Sequence, residues 1–295
     1  MSNKANDQPG LAQRAFVALQ YFLPQIAITR AIGWLMTRQQ PWLKDAMITS
    51  FVRMFRVDLA EIDAQVPQEF DSLNAFFTRR LPPSARPIDA SANAIVSPAD
   101  GVVSACGRIE NGRLIQAKGF SYSAAELLQD DALASKMNGG HFATIYLAPY
   151  NYHRVHTPIA GRVTAHHHVP GKLFSVNGAT ARAVPRLFSR NERRVFNIDS
   201  ASQSISLVMV GALNVGSIST TWSGDVTAGS CDTTTAMPLP ETAFDCGDTL
   251  GWFNMGSTVI LLIPAGGGHW HDELTPGAVV RVGERIGATS AATTA

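Results

Sequence analysis

The sequence has little charge, few cysteines and no long hydrophobic run. Only 16% of its 295 residues are Asp, Glu, Lys or Arg, against about a quarter in an average soluble protein. The formal net charge is +1, so no excess of basic residues points to a nucleic-acid partner, and we predict none. Hydrophobic residues make up 45% of the chain, a composition that favours a folded protein over a disordered one.

The scarcity of cysteine excludes two classes of small scaffold. There are three cysteines, Cys106, Cys231 and Cys246, and no C-x-x-C pattern. An odd, widely spaced set predicts neither a disulfide framework nor a structural zinc site. The three consecutive histidines at 166–168 would alternate between the two faces of a strand, so they do not converge on one ion. We therefore predict no metal site.

The longest uncharged, apolar-rich run is too short to cross a membrane. It covers residues 15–29 and is interrupted by Gln20, Pro24 and Gln25, whereas a spanning helix needs about 20 mostly apolar residues. Because proline breaks a helix, Pro24 should divide this region into helices over 11–23 and 25–37. We predict two further helices, over 44–56 and 72–78.

The same N-terminal region is basic. Residues 1–56 contain seven Lys or Arg and two Asp or Glu, together with aromatic residues such as Phe16, Phe22 and Trp34. Basic helices that carry Phe and Trp are typical of segments that lie in the membrane interface. We interpret this region as membrane-associating, with a helical hairpin buried against its own domain or a dimer partner as the alternative.

The texture of the sequence changes after Pro82, Pro83 and Pro87. From there, short β-type runs are separated by Gly, Pro, Asn and Asp turns, a pattern that indicates antiparallel strands. We predict an α+β fold with a mainly antiparallel β catalytic core over 81–287. A helical, membrane-docking region over 1–80 precedes the core, and a frayed polar tail over 288–295 follows it.

Three segments carry residue types that can form a catalytic site. They supply a carboxylate (Asp100), two histidines (His153 and His156) and a hydroxyl (Ser257). Serine, histidine and aspartate can act as nucleophile, base and orienting acid. Each segment also has a purely structural interpretation, since Asp-Gly and Gly-Ser are common in turns. Spacing alone leaves open whether these residues meet in space.

Eight short motifs follow one another along most of residues 70–287. They are F-F-T-R (76–79), R-P-I-D (86–89), S-P-A-D-G (97–101), Y-H-R-V-H-T-P (152–158), P-G-K-L-F-S-V-N (170–177), L-F-S-R-N-E-R (187–193), V-G-A-L-N-V-G-S-I (210–218) and M-G-S-T-V (255–259). Taken in this order, they resemble the motifs of the prokaryotic-type phosphatidylserine decarboxylases. Two departures are Met255, where the family has leucine, a swap of similar volume, and Cys246, where the family often has lysine.

The resemblance implies a proenzyme that cuts its own backbone between Gly256 and Ser257. The Ser257 hydroxyl would attack the Gly256 carbonyl, and later steps would leave a covalent pyruvoyl group, the cofactor, at position 257. His156 would take the serine proton, while Asp100 would hold the tautomer of His156 and stabilise its charged form. Gly256 would supply an unobstructed, flexible backbone for the attack. A large chain, 1–256, and a small chain, 257–295, would result.

The resemblance further implies decarboxylation of phosphatidylserine to phosphatidylethanolamine and CO2, through a Schiff base with the pyruvoyl group. His153 is then the candidate proton donor, and Ser175 is a candidate contact for the substrate carboxylate. The implied partners are phosphatidylserine in the bilayer, the membrane surface and a second copy of the processed unit in a homodimer. The implied location is peripheral, on the cytoplasmic face of the inner membrane.

Two other functions are open at this point. One is a lipid-directed serine hydrolase in which Ser257, His156 and Asp100 act without self-cleavage. A β-type run follows Ser257 where the hydrolase nucleophile elbow has a helix, which disfavours that reading. The other is an inactive, membrane-binding β module. The chemical state of residue 257 distinguishes the decarboxylase from the hydrolase, and only the inactive module would lose no function in Ser257→Ala.

Overall fold

The fold was obtained as a computed structural model, which describes residues 11–117, 119–201, 203–213 and 217–290. Its N-terminal helices match the predicted ones to within a few residues. None of the helices in these ranges is both long and apolar enough to span a membrane. The described helices are α1 (Leu11–Gln20), α2 (Gln25–Met36), α3 (Pro41–Phe55), α4 (Leu73–Phe77), α5 (Ala124–Leu128), α6 (Asp131–Met137), α7 (Gly178–Ala181) and α8 (Leu187–Arg190), with a 3-10 turn at Pro83–Ala85.

Strands dominate the rest of the described chain. They are β1 (Ala94–Val96), β2 (Gly101–Arg108), β3 (Arg113–Ala117), β4 (Phe120–Ser123), β5 (His141–Leu147), β6 (Arg154–His156), β7 (Arg162–Val169), β8 (Arg193–Asp199), β9 (Ser204–Val210), β10 (Ser217–Thr220), β11 (Gly224–Thr227), β12 (Thr235–Ala236), β13 (Thr249–Phe253), β14 (Ser257–Ile263), β15 (Gly268–Trp270), β16 (Val279–Val280) and β17 (Arg285–Thr289).

An eight-stranded sheet forms the centre of the protein, in the order β12-β7-β8-β9-β14-β5-β2-β16. Every strand pair within it is antiparallel, so the prediction of an α+β fold with an antiparallel core is confirmed. Smaller sheets with the orders β11-β10-β13-β6 and β1-β17-β15 complete the core. Strand β14 is buried at every position, which explains why its sequence is a continuous apolar run rather than an alternating one.

The antiparallel order brings the ends of several central strands together at one end of this sheet. Ser257, at the start of β14, pairs with Leu147 at the end of β5. Its neighbour Thr258 pairs with Val210 at the end of β9. Asp100 directly precedes β2, which pairs with β5 on its other side. Catalytic residue types that are far apart in sequence therefore lie at the same end of the sheet, where these strands begin or finish.

Two buried glutamines attach the helix pair α1–α2 to the segment 170–177, at the same end of the sheet. The side chain of Gln20 accepts a hydrogen bond from the backbone N–H of Ser175 at 2.7 Å. That of Gln25 accepts one from the N–H of Leu173 at 2.8 Å and donates one to the Gln20 carbonyl. The polar residues that interrupt the apolar run thus satisfy backbone groups of the 170–177 segment, since buried polar atoms need partners.

A second attachment joins α2 to the loop after β11. Arg30 donates hydrogen bonds to the carbonyls of Ala228 and Gly229, and the Gly229 N–H donates to the Glu192 carboxylate at 3.0 Å. The Nε2 atom of His168 lies 3.7 Å from the same carboxylate, but burial lowers the pKa of His168 to about 4 and leaves it neutral. Burial raises the pKa of Glu192 to about 7, against the smaller lowering effects of Gly229 and Arg30.

We expect Glu192→Gln to stabilise the protein above pH 7 and not at pH 5. The raised native pKa means that the unfolded chain, in which this carboxyl titrates near 4.5, releases its proton first as the pH rises. Stability from protonated Glu192 is therefore present below pH 4.5 and lost as the pH rises through 7. The glutamine keeps the acceptor for Gly229 without the charge. Urea titrations should give a gain of about 3 kcal/mol at pH 8; an equal gain at pH 5 would contradict the assignment.

Helices α3 and α4 form a second apolar cluster that touches the cleavage loop predicted from the sequence. The cluster contains Ile48 and Phe51 of α3 and Phe76 of α4, and Met255 packs against it. Phe51 lies edge-on to Phe76, with 6.3 Å between the ring centroids. The helical region therefore contacts the residue just before the predicted scissile Gly256.

The predicted tail starts too early. Ala288 pairs with Ala94 of β1 and Thr289 pairs with Gly268 of β15, so ladder hydrogen bonds order the chain through these residues. The end of the predicted tail, residues 291–295, lies outside the described residues.

Candidate active site

Ser257 occupies a buried position with an unsatisfied hydroxyl. Its relative exposure is 0%, and its Oγ has no hydrogen-bond partner within the described part of the chain. A buried hydroxyl without a partner costs free energy, so such a group calls for a functional explanation. The hydroxyl stands at the first residue of β14, directly after the loop that contains Gly256.

The backbone just before Ser257 is strained at Met255. Met255 has φ +119°, a value that side-chain-bearing residues rarely adopt and that costs about 1–3 kcal/mol. Gly256 does not have a positive φ, and a Cβ added to it would meet nothing within 4 Å. The strained residue of this loop is therefore Met255, one position before Gly256, and the flexibility expected of Gly256 during the attack stays a prediction.

A network of amide hydrogen bonds fixes the start of the loop. Asn254 donates from Nδ2 to the hydroxyls of Ser217 and Ser219, at 2.6 and 2.8 Å. Its Oδ1 accepts from Nδ2 of Asn74, on α4, at 3.1 Å. With its side chain held on both sides, Asn254 gives the strained Met255 a rigid anchor, which is how local strain can persist.

Asp100 is buried and paired with an arginine. Both of its oxygens accept from Arg86, with Nε–Oδ1 at 2.9 Å and Nη2–Oδ2 at 2.5 Å. The backbone N–H of Val282 donates to Oδ1 as well. Burial by itself would lower the pKa of Arg86, but its hydrogen bonds to Asp100 and Glu61 outweigh burial and raise that pKa. This bidentate geometry is the strong form of an ion pair.

His156 is oriented by a backbone carbonyl rather than by Asp100. Its Nδ1 lies 2.7 Å from the Gly247 carbonyl oxygen, and its Nε2 lies 3.3 Å from the hydroxyl of Tyr152. Since a carbonyl only accepts, Nδ1 carries the hydrogen and Nε2 carries the lone pair. Burial lowers the pKa of His156, and the charge of Asp100 counteracts this by raising it.

The tautomer role predicted for Asp100 is therefore corrected. The carboxylate is occupied by Arg86 and Val282, so the Gly247 carbonyl sets the tautomer of His156. Asp100 retains the electrostatic half of its predicted role, because its charge favours the protonated imidazole. Ser257 and His156 are not hydrogen-bonded to each other, as the serine hydroxyl has no partner among the described residues.

Gly247 can hold this carbonyl only because it lacks a side chain. It has φ +85°, and a Cβ placed there would lie 2.6 Å from Cδ1 of Ile88 in the R-P-I-D segment. Both the backbone angle and the close approach require glycine. The R-P-I-D segment thus serves the site twice, with Arg86 on Asp100 and Ile88 against Gly247.

We expect Gly247→Ala to slow self-cleavage by about tenfold or more, because displacing the Gly247 carbonyl frees the ring of His156. Gly112→Ala is the matched control. Gly112 also has a positive φ, +68°, but no atom lies within 4 Å of an added Cβ. Both variants carry the backbone strain, and only the first disturbs His156. Equal cleavage rates, measured by gel densitometry after synthesis, would contradict the assignment.

His153 is hydrogen-bonded to backbone groups on both sides of the loop and strand that carry Ser257. Its Nε2 is 3.1 Å from the carbonyl oxygen of Ala148, which follows the strand partner of Ser257, and its own carbonyl accepts from the N–H of Phe253. The ring of His153 stacks on Phe77, with centroids 4.0 Å apart. Its Nδ1 is buried and has no partner among the described residues. Burial, followed by the charge of Arg79, lowers the pKa of His153 to about 3.

Ser175 lies in the segment that α1 holds in place. Its backbone N–H donates to Gln20, so the N-terminal helices determine the position of this loop. The histidines at 166–168 belong to β7, where His166 accepts from Nε of Arg194 at 3.0 Å and also contacts the Pro238 carbonyl. No group of three or more potential metal ligands occurs in the described ranges.

Several residues of the site were missed by reasoning from the sequence. Arg86, Tyr152, Asn254 and Gly247 were given no role, although the first three belong to or adjoin the quoted motifs. Their positions in those motifs were the available signal. Their roles depend on hydrogen bonds between distant segments, which no local pattern reveals.

Comparison with known proteins gives a consistent family. A family model described as "Phosphatidylserine decarboxylase" matches residues 73–288, and one described as "PSD" matches residues 15–56. The chain is 45% identical to a phosphatidylserine decarboxylase proenzyme of Azotobacter vinelandii, over 95% of this chain and 100% of that protein. It is 43% identical to the proenzyme of Methylococcus capsulatus, over 93% and 96% of the two chains. The proenzyme of Alcanivorax borkumensis is 44% identical, over 94% and 97%.

Proposed function

This chain belongs to the phosphatidylserine decarboxylase family, and from that premise we propose that it cuts itself between Gly256 and Ser257 and then decarboxylates phosphatidylserine to phosphatidylethanolamine. The observation that carries the proposal is the buried, unpartnered hydroxyl of Ser257, placed directly after a strained loop. A nucleophile that is desolvated and not hydrogen-bonded is free to attack the adjacent backbone. The same observation fits a pyruvoyl group formed from that serine.

The proposed cleavage balances as a rearrangement followed by elimination and hydrolysis. Oγ of Ser257 bonds to the carbonyl carbon of Gly256, while the peptide nitrogen leaves with the hydroxyl proton, so an amide becomes an ester. Removal of the Cα proton of residue 257 expels the Gly256 carboxylate and leaves dehydroalanine. Its imine tautomer takes up one water and releases ammonia, which gives the pyruvoyl group. No oxidant is required.

In this proposal His156 is the base that receives the hydroxyl proton at Nε2. It is neutral because burial lowers its pKa, and its Nδ1–H is fixed on the Gly247 carbonyl. Asp100 stabilises the positive ring by its charge, as the serine-protease acid does, while Arg86 holds Asp100 in place through a bidentate ion pair. The relief of strain at Met255 favours the forward reaction.

When formed, the pyruvoyl group would bind the substrate amine as a Schiff base and accept the electron pair left by CO2. His153 would handle the proton. Its Nδ1 is the unprotonated nitrogen, because Nε2 donates to the Ala148 carbonyl. We propose that Nδ1 takes a proton from the substrate ammonium and returns it to the carbon that loses CO2. Ser175 is proposed to contact the substrate carboxylate.

Membrane docking through the N-terminal helices is part of the proposal. Large apolar side chains are exposed along this region, among them Phe22 at 86%, Trp34 at 61% and Trp42 at 74%. A group of exposed aromatics beside basic residues suits the membrane interface. It suits a substrate whose acyl chains stay in the bilayer, on what we propose is the cytoplasmic face of the inner membrane. A homodimer of the processed unit remains a proposal.

We expect replacement of Phe22, Trp34 and Trp42 by serine to weaken vesicle binding by more than about 100-fold. Each substitution removes a large apolar side chain that would be buried in the membrane. The matched control replaces Ile115, Leu239 and Val279 by serine. These side chains are also exposed, but they belong to the β-rich region 81–287 rather than to the N-terminal helices. Sedimentation with vesicles containing phosphatidylserine measures the difference. Self-cleavage should be unchanged in both triple variants, and equal losses of binding would refute docking by the helices.

Intact-mass analysis of the purified protein tests the central proposal. We expect chains of 256 and 39 residues, whose summed mass equals the precursor plus one water minus one ammonia. An active sample with a full-length chain would refute self-cleavage and leave the uncut serine hydrolase. Cut chains without the loss of ammonia would refute the pyruvoyl group. The relatives named above, all called proenzymes, do not favour the hydrolase.

A further inference from the structure

The F-F-T-R segment ends in a buried arginine that forms no salt bridge with the residues described by the structure. Arg79 is 7% exposed, and its Nε has no hydrogen-bond partner within the described part of the chain. Its side chain donates to the Phe76 carbonyl at 3.3 Å, and its guanidinium lies 5.0 Å from the Phe76 ring centroid. A guanidinium has five N–H donors, and the buried one on Nε is left for a ligand to accept.

The acids in its neighbourhood are committed to other arginines. Asp100 and Glu61 both influence Arg79 through space, but Asp100 is held by Arg86, and Glu61 is held by Arg86 and Arg281. Burial is the largest influence on Arg79 and lowers its pKa. An unpaired buried charge costs several kcal/mol, which is a stability cost that a bound anion would remove.

Arg79 also lies beside the reaction site. The ring of Phe77, two residues before it, stacks on His153, and the carbonyl of Thr78, directly before it, accepts from Nε of Arg154. The charge of Arg79 lowers the pKa of His153 and interacts with Tyr152. The arginine is therefore placed to meet the head group of a lipid that reacts at Ser257.

We propose that Arg79 binds the phosphodiester of the phospholipid substrate. The planar guanidinium matches two non-bridging phosphate oxygens. The substrate carboxylate is the poorer match, because an ion pair to a group about to leave as CO2 would stabilise the ground state and slow the reaction. The phosphodiester keeps its charge throughout, so binding it does not raise the barrier. This assignment rests on the proposed function and names the group that recognises the head group.

Three amines distinguish binding of the substrate phosphodiester from binding of its carboxylate. Ethanolamine carries neither, L-serine adds a carboxylate, and glycerophosphoethanolamine adds a phosphodiester. Each is incubated with processed enzyme and cyanoborohydride, and the trapped adduct on the 39-residue chain is measured by mass, which reports binding without decarboxylation. We expect glycerophosphoethanolamine to reach half-maximal trapping at a concentration about 10- to 100-fold below that for ethanolamine, the range of a charged hydrogen bond.

The variants are Arg79→Gln and, as a matched control, Arg80→Gln, which changes the adjacent exposed arginine. We expect Arg79→Gln to remove the advantage of the phosphodiester and Arg80→Gln to keep it. With phosphatidylserine in mixed micelles, Arg79→Gln should raise KM by a similar factor, as loss of substrate binding does. Self-cleavage into 256 and 39 residues reports that each variant folds.

The outcomes distinguish this assignment from the function on which it rests. Retention of the phosphodiester advantage in processed Arg79→Gln would overturn it. So would loss of an L-serine advantage instead, which would assign the carboxylate. If Arg79→Gln is not processed, the unsubstituted enzyme decides, since equal trapping of ethanolamine and glycerophosphoethanolamine overturns the proposal. Failure to trap any amine on the unsubstituted 39-residue chain would refute the pyruvoyl group itself.

Discussion

Replacing Ser257 with alanine is expected to leave a folded, uncut chain of 295 residues without measurable decarboxylase activity. Alanine removes the only atom that the proposed mechanism uses to open the peptide bond, so neither the ester nor the pyruvoyl group can form. Folding should be preserved, because the Ser257 hydroxyl has no partner in the described structure. Removing an unpartnered buried hydroxyl is close to neutral or slightly stabilising.

The adjacent threonine provides the matched control. Thr258 is equally buried, and its Oγ1 also has no partner among the described residues. Thr258→Val removes a buried hydroxyl one residue away and should still be cut. Electrophoresis of the purified proteins measures cleavage of the two variants, and CO2 release from phosphatidylserine vesicles measures their decarboxylase activity. Cleavage of Ser257→Ala, or decarboxylation by it, would end the proposed mechanism.

His153→Ala is expected to separate the two reactions. Self-cleavage should continue, because His156 rather than His153 receives the serine proton in the proposed scheme. Decarboxylation should fall by about 10²- to 10⁴-fold, the usual contribution of a positioned proton-transfer group. Single-turnover CO2 release by the processed variant measures this effect, and turnover at the unsubstituted rate would remove His153 from the mechanism.

A second substitution controls for lost packing, since the imidazole of His153 stacks on Phe77. His153→Gln offers an amide N–H to the Ala148 carbonyl and fills most of the space, but it cannot carry a proton at neutral pH. We expect it to be as inactive as His153→Ala and more stable. Recovery of activity in the glutamine variant would show that His153 only fills space.

The pH dependence gives an independent check on His153. Its pKa of about 3 keeps the native ring neutral, whereas the unfolded ring titrates near 6.5. Between pH 6.5 and 3 the unfolded chain is protonated at this ring and the native chain is not. Stability from this group is therefore present above pH 6.5 and lost as the pH falls toward 3. His153→Gln should show a weaker acid loss of stability than the unsubstituted protein.

Parts of the fold could be predicted from sequence because they depend on local periodicity. Pro24 marks the break between α1 and α2, and the apolar run after Ser257 marks a strand. Strand order could not be predicted, because the pairing of β14 with β5 and β9 joins segments about 50 to 120 residues apart by hydrogen bonds that any residue can make. The start of the tail was misplaced for the same reason.

The sequence by itself determined the chemistry that is available: a Gly256–Ser257 bond, two histidines, an aspartate, and a basic, aromatic N-terminal region. Only the tertiary structure decided how these groups are used. It paired Asp100 with Arg86, let the Gly247 carbonyl set the tautomer of His156, and placed the backbone strain at Met255. The reason is physical, since protonation, strain and charge pairing depend on distances of a few ångströms between segments remote in the chain.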